Sequence, residues 1–154
     1  MKWKSTSILV MSSLIIFSCS IEYKIVRKEN KLIGAWAFEK VFYKEDGALF
    51  RDNVTRDFAG DVIEFFGDYS ALYEDASLGS LFDGWWEILL DDDSYYDDDG
   101  SNRDLEFFLD MCFDDFIARE EFCYFGSICR VNQNKLVIES LDRFGSWTFK
   151  LRRI

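Results

Sequence analysis

Neither proline nor histidine occurs anywhere in the 154 residues, and basic side chains are scarce, with 18 Lys and Arg against 29 Asp and Glu. Each shortage excludes something. Without histidine the chain lacks the usual general base at neutral pH and the commonest metal ligand. Without proline, and with no repeat or long Gly/Ser tract, nothing punctuates the chain into two domains. A formal net charge of −11 has the wrong sign for nucleic-acid binding, which sets Lys and Arg against phosphates. No Gly-rich phosphate loop and no Ser-based nucleophile elbow is present. Carboxylate pairs such as Glu120 and Glu121 are the remaining candidates for acid–base work, but acidic surfaces carry such pairs without chemistry. The expectation is a non-enzyme with no cofactor.

The beginning of the chain has the layout of an export signal. Lys2 and Lys4 precede the apolar run Ile8 to Phe17, about half of the ~20 residues that span a bilayer, so the run reads as the core of a signal peptide rather than a membrane span. It ends in Ile16-Phe17-Ser18-Cys19, which resembles the lipobox of bacterial lipoproteins, with Phe17 bulkier than the residue usual there. The blander alternatives are an ordinary signal peptide with an incidental cysteine, or an uncleaved anchor. The resemblance implies cleavage before Cys19, lipidation of Cys19 and attachment to a membrane of the bacterial envelope, the outer one if the cell has one. The expected organisation is a signal peptide over 1–18, a lipidated cysteine and tether over 19–31, and one domain over 32–154.

Charge is unevenly placed along the remaining chain. Losing Lys2 and Lys4 leaves 16 basic and 29 acidic residues, or −13. Residues 83–121 alone hold 15 acids and two arginines, also −13, while 19–82 give −4 and 122–154 give +4. The tether is mildly basic, with Lys24, Arg27, Lys28 and Lys31 against Glu22 and Glu29, which suits a segment lying near anionic headgroups.

Between these features the pattern is that of strands. Ile33–Tyr43, Asp61–Gly67, Tyr69–Asp75, Gly84–Leu90, Asp104–Met111, Glu121–Val131, Lys135–Ser140 and Trp147–Arg153 are short, aromatic and β-branched, with turn residues between them. Alternation assigns inner faces: Leu105, Phe107, Leu109 and Met111 oppose Glu106 and Asp110, Trp86, Ile88 and Leu90 oppose Glu87, and Trp147, Phe149 and Leu151 oppose Lys150 and Arg152. Such half-buried strands belong to an antiparallel sheet. Only Asp114–Glu121 reads as helix, from the spacing of Phe113, Phe116 and Ile117 and the acids at its start. Beside Cys19 there are Cys112, Cys123 and Cys129. If residues 122–131 form one continuous strand, Cys123 and Cys129 lie about 20 Å apart at ~3.3 Å per residue, too far to bond. Cys112 with Cys123 across neighbouring strands is the better pairing.

Gly34-x-Trp36 opening the first strand, the strand-turn-strand IEFFGDYSALYE, a second Gly84-x-Trp86 and the closing pair KLVIES and WTFKLRR resemble the lipocalin-like domain of bacterial lipoproteins. The resemblance covers roughly Leu32 to Ile154. It implies an all-β fold, an eight-stranded antiparallel up-and-down barrel open at one end, here with one short helix, holding a small apolar ligand. It also implies an arginine late in the chain packed over Trp36, for which Arg143, Arg152 and Arg153 are the candidates. The expected ligand lining is Trp36, Phe38, Ile63, Phe65, Trp86, Phe107 and Phe149, although each is equally suited to ordinary core. With 16 Phe and 5 Trp, side chains could instead fill an eight-stranded barrel. That leaves a protein-interaction module working through its acidic segment and exposed aromatics such as Tyr95 and Tyr96.

The acidic segment contains six aspartates between Asp91 and Asp99. Taking Gly100 as the sixth residue of an EF-hand loop puts Asp97, Asp99 and Glu106 at ligand positions, but Tyr95 falls at the first, and strands rather than helices flank it. Asp99-Gly100 between two apolar strands is a hairpin signal. The expectation is a solvated hairpin loop, with a calcium site of another kind as the alternative.

Overall fold

The computed structural model describes residues 22–90, 106–116 and 118–154. The expected signal and Cys19, the acidic window from Asp91 to Asp99, Tyr95, Tyr96 and Ile117 lie outside these residues. The strands are β1 (Gly34–Glu45), β2 (Asp52–Asn53), β3 (Val62–Phe65), β4 (Ser70–Asp75), β5 (Ser80–Leu90), β6 (Phe107–Asp115), β7 (Glu120–Val131), β8 (Lys135–Leu141) and β9 (Gly145–Arg153). Apart from the two-residue β2, these are the eight predicted strands. β1 and β3 through β9 pair antiparallel in chain order, and β9 returns to β1, so the sheet closes into an eight-stranded up-and-down barrel. Closure gives each of these eight strands a partner on both sides, and the β1–β9 seam runs from Trp36 opposite Arg153 to Glu45 opposite Gly145, with one bulge between Phe38 and Lys40.

The turns share one device. Asp68, Asp75, Asp115, Asn132 and Asp142 each accept a backbone N–H two or three residues downstream, from Ser70 (3.1 Å), Leu78 (2.9 Å), Ala118 (2.9 Å), Asn134 (2.9 Å) and Phe144 (2.7 Å). A short side chain that mimics a backbone acceptor reverses the chain without proline. Asp115 corrects the expected helix over Asp114–Glu121. β6 runs on to Asp115, the Arg119 N–H donates to the Asp115 carbonyl (2.7 Å), Arg119 takes φ 59°, and β7 begins at Glu120. An acid that starts a helix also starts a turn. The Phe113 that suggested helical spacing is the next inward residue of β6, fully buried.

The helix of this fold, α1, lies over residues 22–32, in the stretch expected to be a tether. Ile25 and Leu32, seven residues apart, lie on one face of the helix. Leu32 is buried, and Ile25 packs against the core. Lys28 projects between them, its Nζ 4.0 Å from the Phe107 ring centroid; burial, then Lys31, lowers its ammonium from the ordinary value. The frequent charges of this segment hide a narrow apolar stripe.

The last carbonyls of α1 need donors, and two side chains supply them. Trp36 Nε1 donates to the Leu32 carbonyl at 2.7 Å. Arg153 donates from Nη1 to the Ile33 carbonyl at 2.7 Å and from Nη2 to the Lys31 carbonyl. The same guanidinium lies 4.4 Å over the Trp36 ring, so Arg153 is the late arginine among the three candidates. Gly34, at φ 124°, leaves room for it, since a Cβ there would strike Arg153 Nη1.

Trp36 is fully buried, so Trp36→Ala should lower unfolding stability by about 3–5 kcal/mol in urea titration. Reduction of the disulfide between Cys112 and Cys123, 11 residues apart and opposite each other on β6 and β7, should lower it by about 3 kcal/mol through the lost loop constraint, read as a shift of the urea midpoint on adding reductant.

Candidate functional site

All seven residues expected to line a ligand site point into one interior. Trp36, Ile63, Phe65, Trp86, Phe107 and Phe149 are buried and Phe38 is partly so. They divide between two ends. Trp36, Trp86 and Phe107 pack beneath α1, with Trp86 edge-on to Phe65 at 5.6 Å and its Nε1 donating to the Phe66 carbonyl (3.1 Å). Toward the other end, Phe38 and Phe149 meet at 6.0 Å. The expected barrel is open at one end; at this end Phe58 of the short 3-10 turn Thr55–Phe58 lies against both rings, at 5.3 and 5.9 Å.

Among the described residues, Phe38, Ile63, Phe65 and Phe149 border an interior void, together with Tyr73, Met111, Tyr124, Ile138 and Leu151. Its volume is about 10 Å³, room for about one water molecule. The aromatic count explains this: Tyr73, Phe113 and Phe122 lie within 5.5–6.0 Å of one another, occupying space that aliphatic side chains of a cavity-forming barrel would leave.

Among the described residues the interior contains one buried acid that sequence reasoning missed. Asp61 is 2% exposed; its Oδ2 accepts from the Tyr73 hydroxyl at 2.5 Å and its Oδ1 from the Ala76 N–H at 2.9 Å. These bonds tie the start of β3 to the β4–β5 turn. Alternation with Ala71 marks Tyr73 as inward, but Asp61 looks like any turn acid in front of a strand. Burial, then the hydrogen bond and charge of Asp61, push the Tyr73 phenol far above its ordinary value. Burial, then Asp61, raises Tyr124 as well.

Other chemical groups on the described residues are few. Glu120 and Glu121 are exposed and face Asp115 and Asp114 across the β6–β7 pair, an arrangement of like charges. Cys112, Glu121 and Cys123 lie close enough to hold an ion, but the two sulfurs are bonded to each other. Cys129 is a free, exposed thiol.

The outer surface carries more. Strands β5, β6 and β7 have seven acids (Asp83, Glu87, Asp110, Asp114, Asp115, Glu120, Glu121) and one base (Arg130), for −6. Strands β8, β9 and β1 have six bases (Lys135, Lys150, Arg152, Arg153, Lys40, Lys44) and three acids (Glu139, Glu39, Glu45), for +3. The barrel is therefore electrically two-sided. At the end remote from α1 the connections expose Leu49, Phe50, Leu78, Phe116 and Phe144, flanked by charges of both signs. Across the outer faces of β6 to β9 runs a groove of about 510 Å³ bordered by Phe108, Phe125, Glu106 and Glu139.

Tyr73→Phe should lower stability by about 1–3 kcal/mol, because Asp61 Oδ2 loses its donor in a buried position. A phenol whose folded value is raised keeps a proton that the unfolded chain releases near pH ~10, so its stabilisation is complete below that pH and declines above it. Urea midpoints should fall between about pH 10 and 11 in the wild type and fall less in Tyr73→Phe, with Tyr124 retaining part of the dependence.

Compared with known proteins, the chain matches no family model, no curated protein and no solved structure.

Proposed function

We propose that this chain is a lipid-anchored, non-enzymatic interaction protein, lipocalin-like in architecture, in which the barrel is a filled scaffold and the outer surface does the binding. The observation that carries this reading is the interior void of about 10 Å³, where a small-molecule pocket occupies roughly 300 Å³ or more. A ligand inside would have to displace side chains that are already packed.

The lipocalin-like part rests on the glycine and tryptophan opening β1 and on Arg153 lying over Trp36. The anchor rests on the two lysines, the apolar run and Cys19 at its end. No helix of the described residues is long and apolar enough to cross a membrane. Attachment through acyl chains, each methylene adding about 0.8 kcal/mol, would hold the barrel at the surface. With Cys19 three residues ahead of Glu22, where the described part of α1 begins, the α1 end would face the membrane and the barrel wall would remain accessible.

Organic extraction of the purified protein followed by mass spectrometry should recover no small molecule in stoichiometric amount. Recovery of an apolar compound at one per chain would reverse the reading in favour of a ligand carrier. Independently, Cys19→Ser should move the protein out of the membrane fraction with an unchanged urea midpoint; retention in that fraction would refute the anchor.

A further inference from the structure

The groove across β6 to β9 combines features that the barrel does not need for folding. Phe108 and Phe125 project outward from neighbouring strands and stack at 5.1 Å with their planes 3° apart. Phe125 is nevertheless 49% exposed. Two carboxylates, Glu106 and Glu139, border the same groove, and none of its lining residues is a lysine or arginine. Burial raises the Cys129 thiol of β7 first, and Glu139 and Glu106 raise it further. On its β6–β7 side the groove adjoins the acidic strands β5 through β7, which carry the −6 counted above.

We propose that this groove binds a cationic amphipathic segment of a partner protein. An apolar side chain of the segment lies on the Phe108–Phe125 pair, and a neighbouring lysine or arginine sits between Glu106 and Glu139. Aromatic faces attract both apolar groups and organic cations, and a carboxylate forms a charge-assisted hydrogen bond to either basic side chain. The Ser127 and Thr148 hydroxyls in the lining can bond the segment's main chain. A neutral apolar ligand would desolvate two carboxylates without replacing their hydration. An anionic membrane or a nucleic acid would be repelled. The inference rests on the interaction-protein reading and specifies its partner.

The test uses the full chain in mild detergent and a fluorescent peptide of alternating lysine and leucine, followed by anisotropy at physiological salt. Peptides of alternating lysine and serine and of alternating glutamate and leucine serve as comparisons. Binding should be saturable for lysine–leucine and weaker for both others. The double variant Glu106→Gln with Glu139→Gln should weaken it by about tenfold, as should Phe125→Ser, each about the loss of one good contact. Asp83→Asn with Asp114→Asn, which removes equal charge outside the groove, should change it by less than about threefold. Equal weakening by both charge pairs would overturn the proposal in favour of diffuse attraction to an acidic surface. So would the absence of saturable binding, or self-association of the chain that the peptide abolishes, which would make the occupant a second copy. An extracted barrel ligand would refute the interaction reading, whereas an empty extract with no peptide binding would refute only the groove.

Discussion

One guanidinium joins three parts of this molecule. Arg153, on the last strand, stacks on Trp36 of the first strand and donates to two carbonyls at the end of α1. The β1–β9 seam is the most distant pairing in the chain and so carries the largest loop-closure entropy. A planar, permanently charged fork suits this place because it can bond two carbonyls in its plane while offering its face to an indole. An ammonium at the same position could not do both. The helix, in turn, covers the apolar end of the barrel only because its carbonyls have these donors.

The interior then follows from volume. An eight-stranded barrel is narrow enough for side chains to fill, and here rings of Phe38, Phe58, Tyr73, Phe113, Phe122 and Phe149 meet at distances of 5.2–6.3 Å from their neighbours. Edge-to-face and offset contacts of this kind are favourable beyond simple burial. The buried Asp61–Tyr73 pair is a polar exception with both carboxylate oxygens engaged. A core so occupied is a scaffold, which is why the functional proposal moves to the outside of the wall.

Charge gives that outside its polarity. The acids cluster in one stretch of sequence, and an up-and-down barrel keeps sequence neighbours as spatial neighbours. Among the described residues, the acids of β5, β6 and β7 therefore fall on adjacent strands rather than as a scattered excess. A fold with long crossovers would have mixed these strands with the basic ones. Exposed Trp85, Leu89 and Phe125 lie on this wall, so apolar and acidic groups share one surface.

Local patterns determined a great deal by themselves. Short aromatic and β-branched runs between turn residues marked all eight barrel strands, and period-two alternation assigned inner faces in three of them, because a one-residue slip would turn every apolar side chain outward. The same strand geometry excluded Cys123–Cys129 and favoured Cys112–Cys123, the pair that the structure bonds. Where a signal was shared between structures, sequence could not decide. Asp114 and Asp115 suit a helix start as well as a turn, and only the pairing of Asp115 with Glu120 selected the turn. The charged stripe of 22–32 concealed a helix whose apolar face has meaning only once a barrel end exists to receive it. Which of three arginines meets Trp36 was settled by strand register, and whether the aromatic lining encloses space was settled by ring packing. That Glu106 and Glu139, 33 residues apart in the chain, border one groove likewise belongs to tertiary structure, since the strand periodicity orients each side chain but does not bring distant ones together.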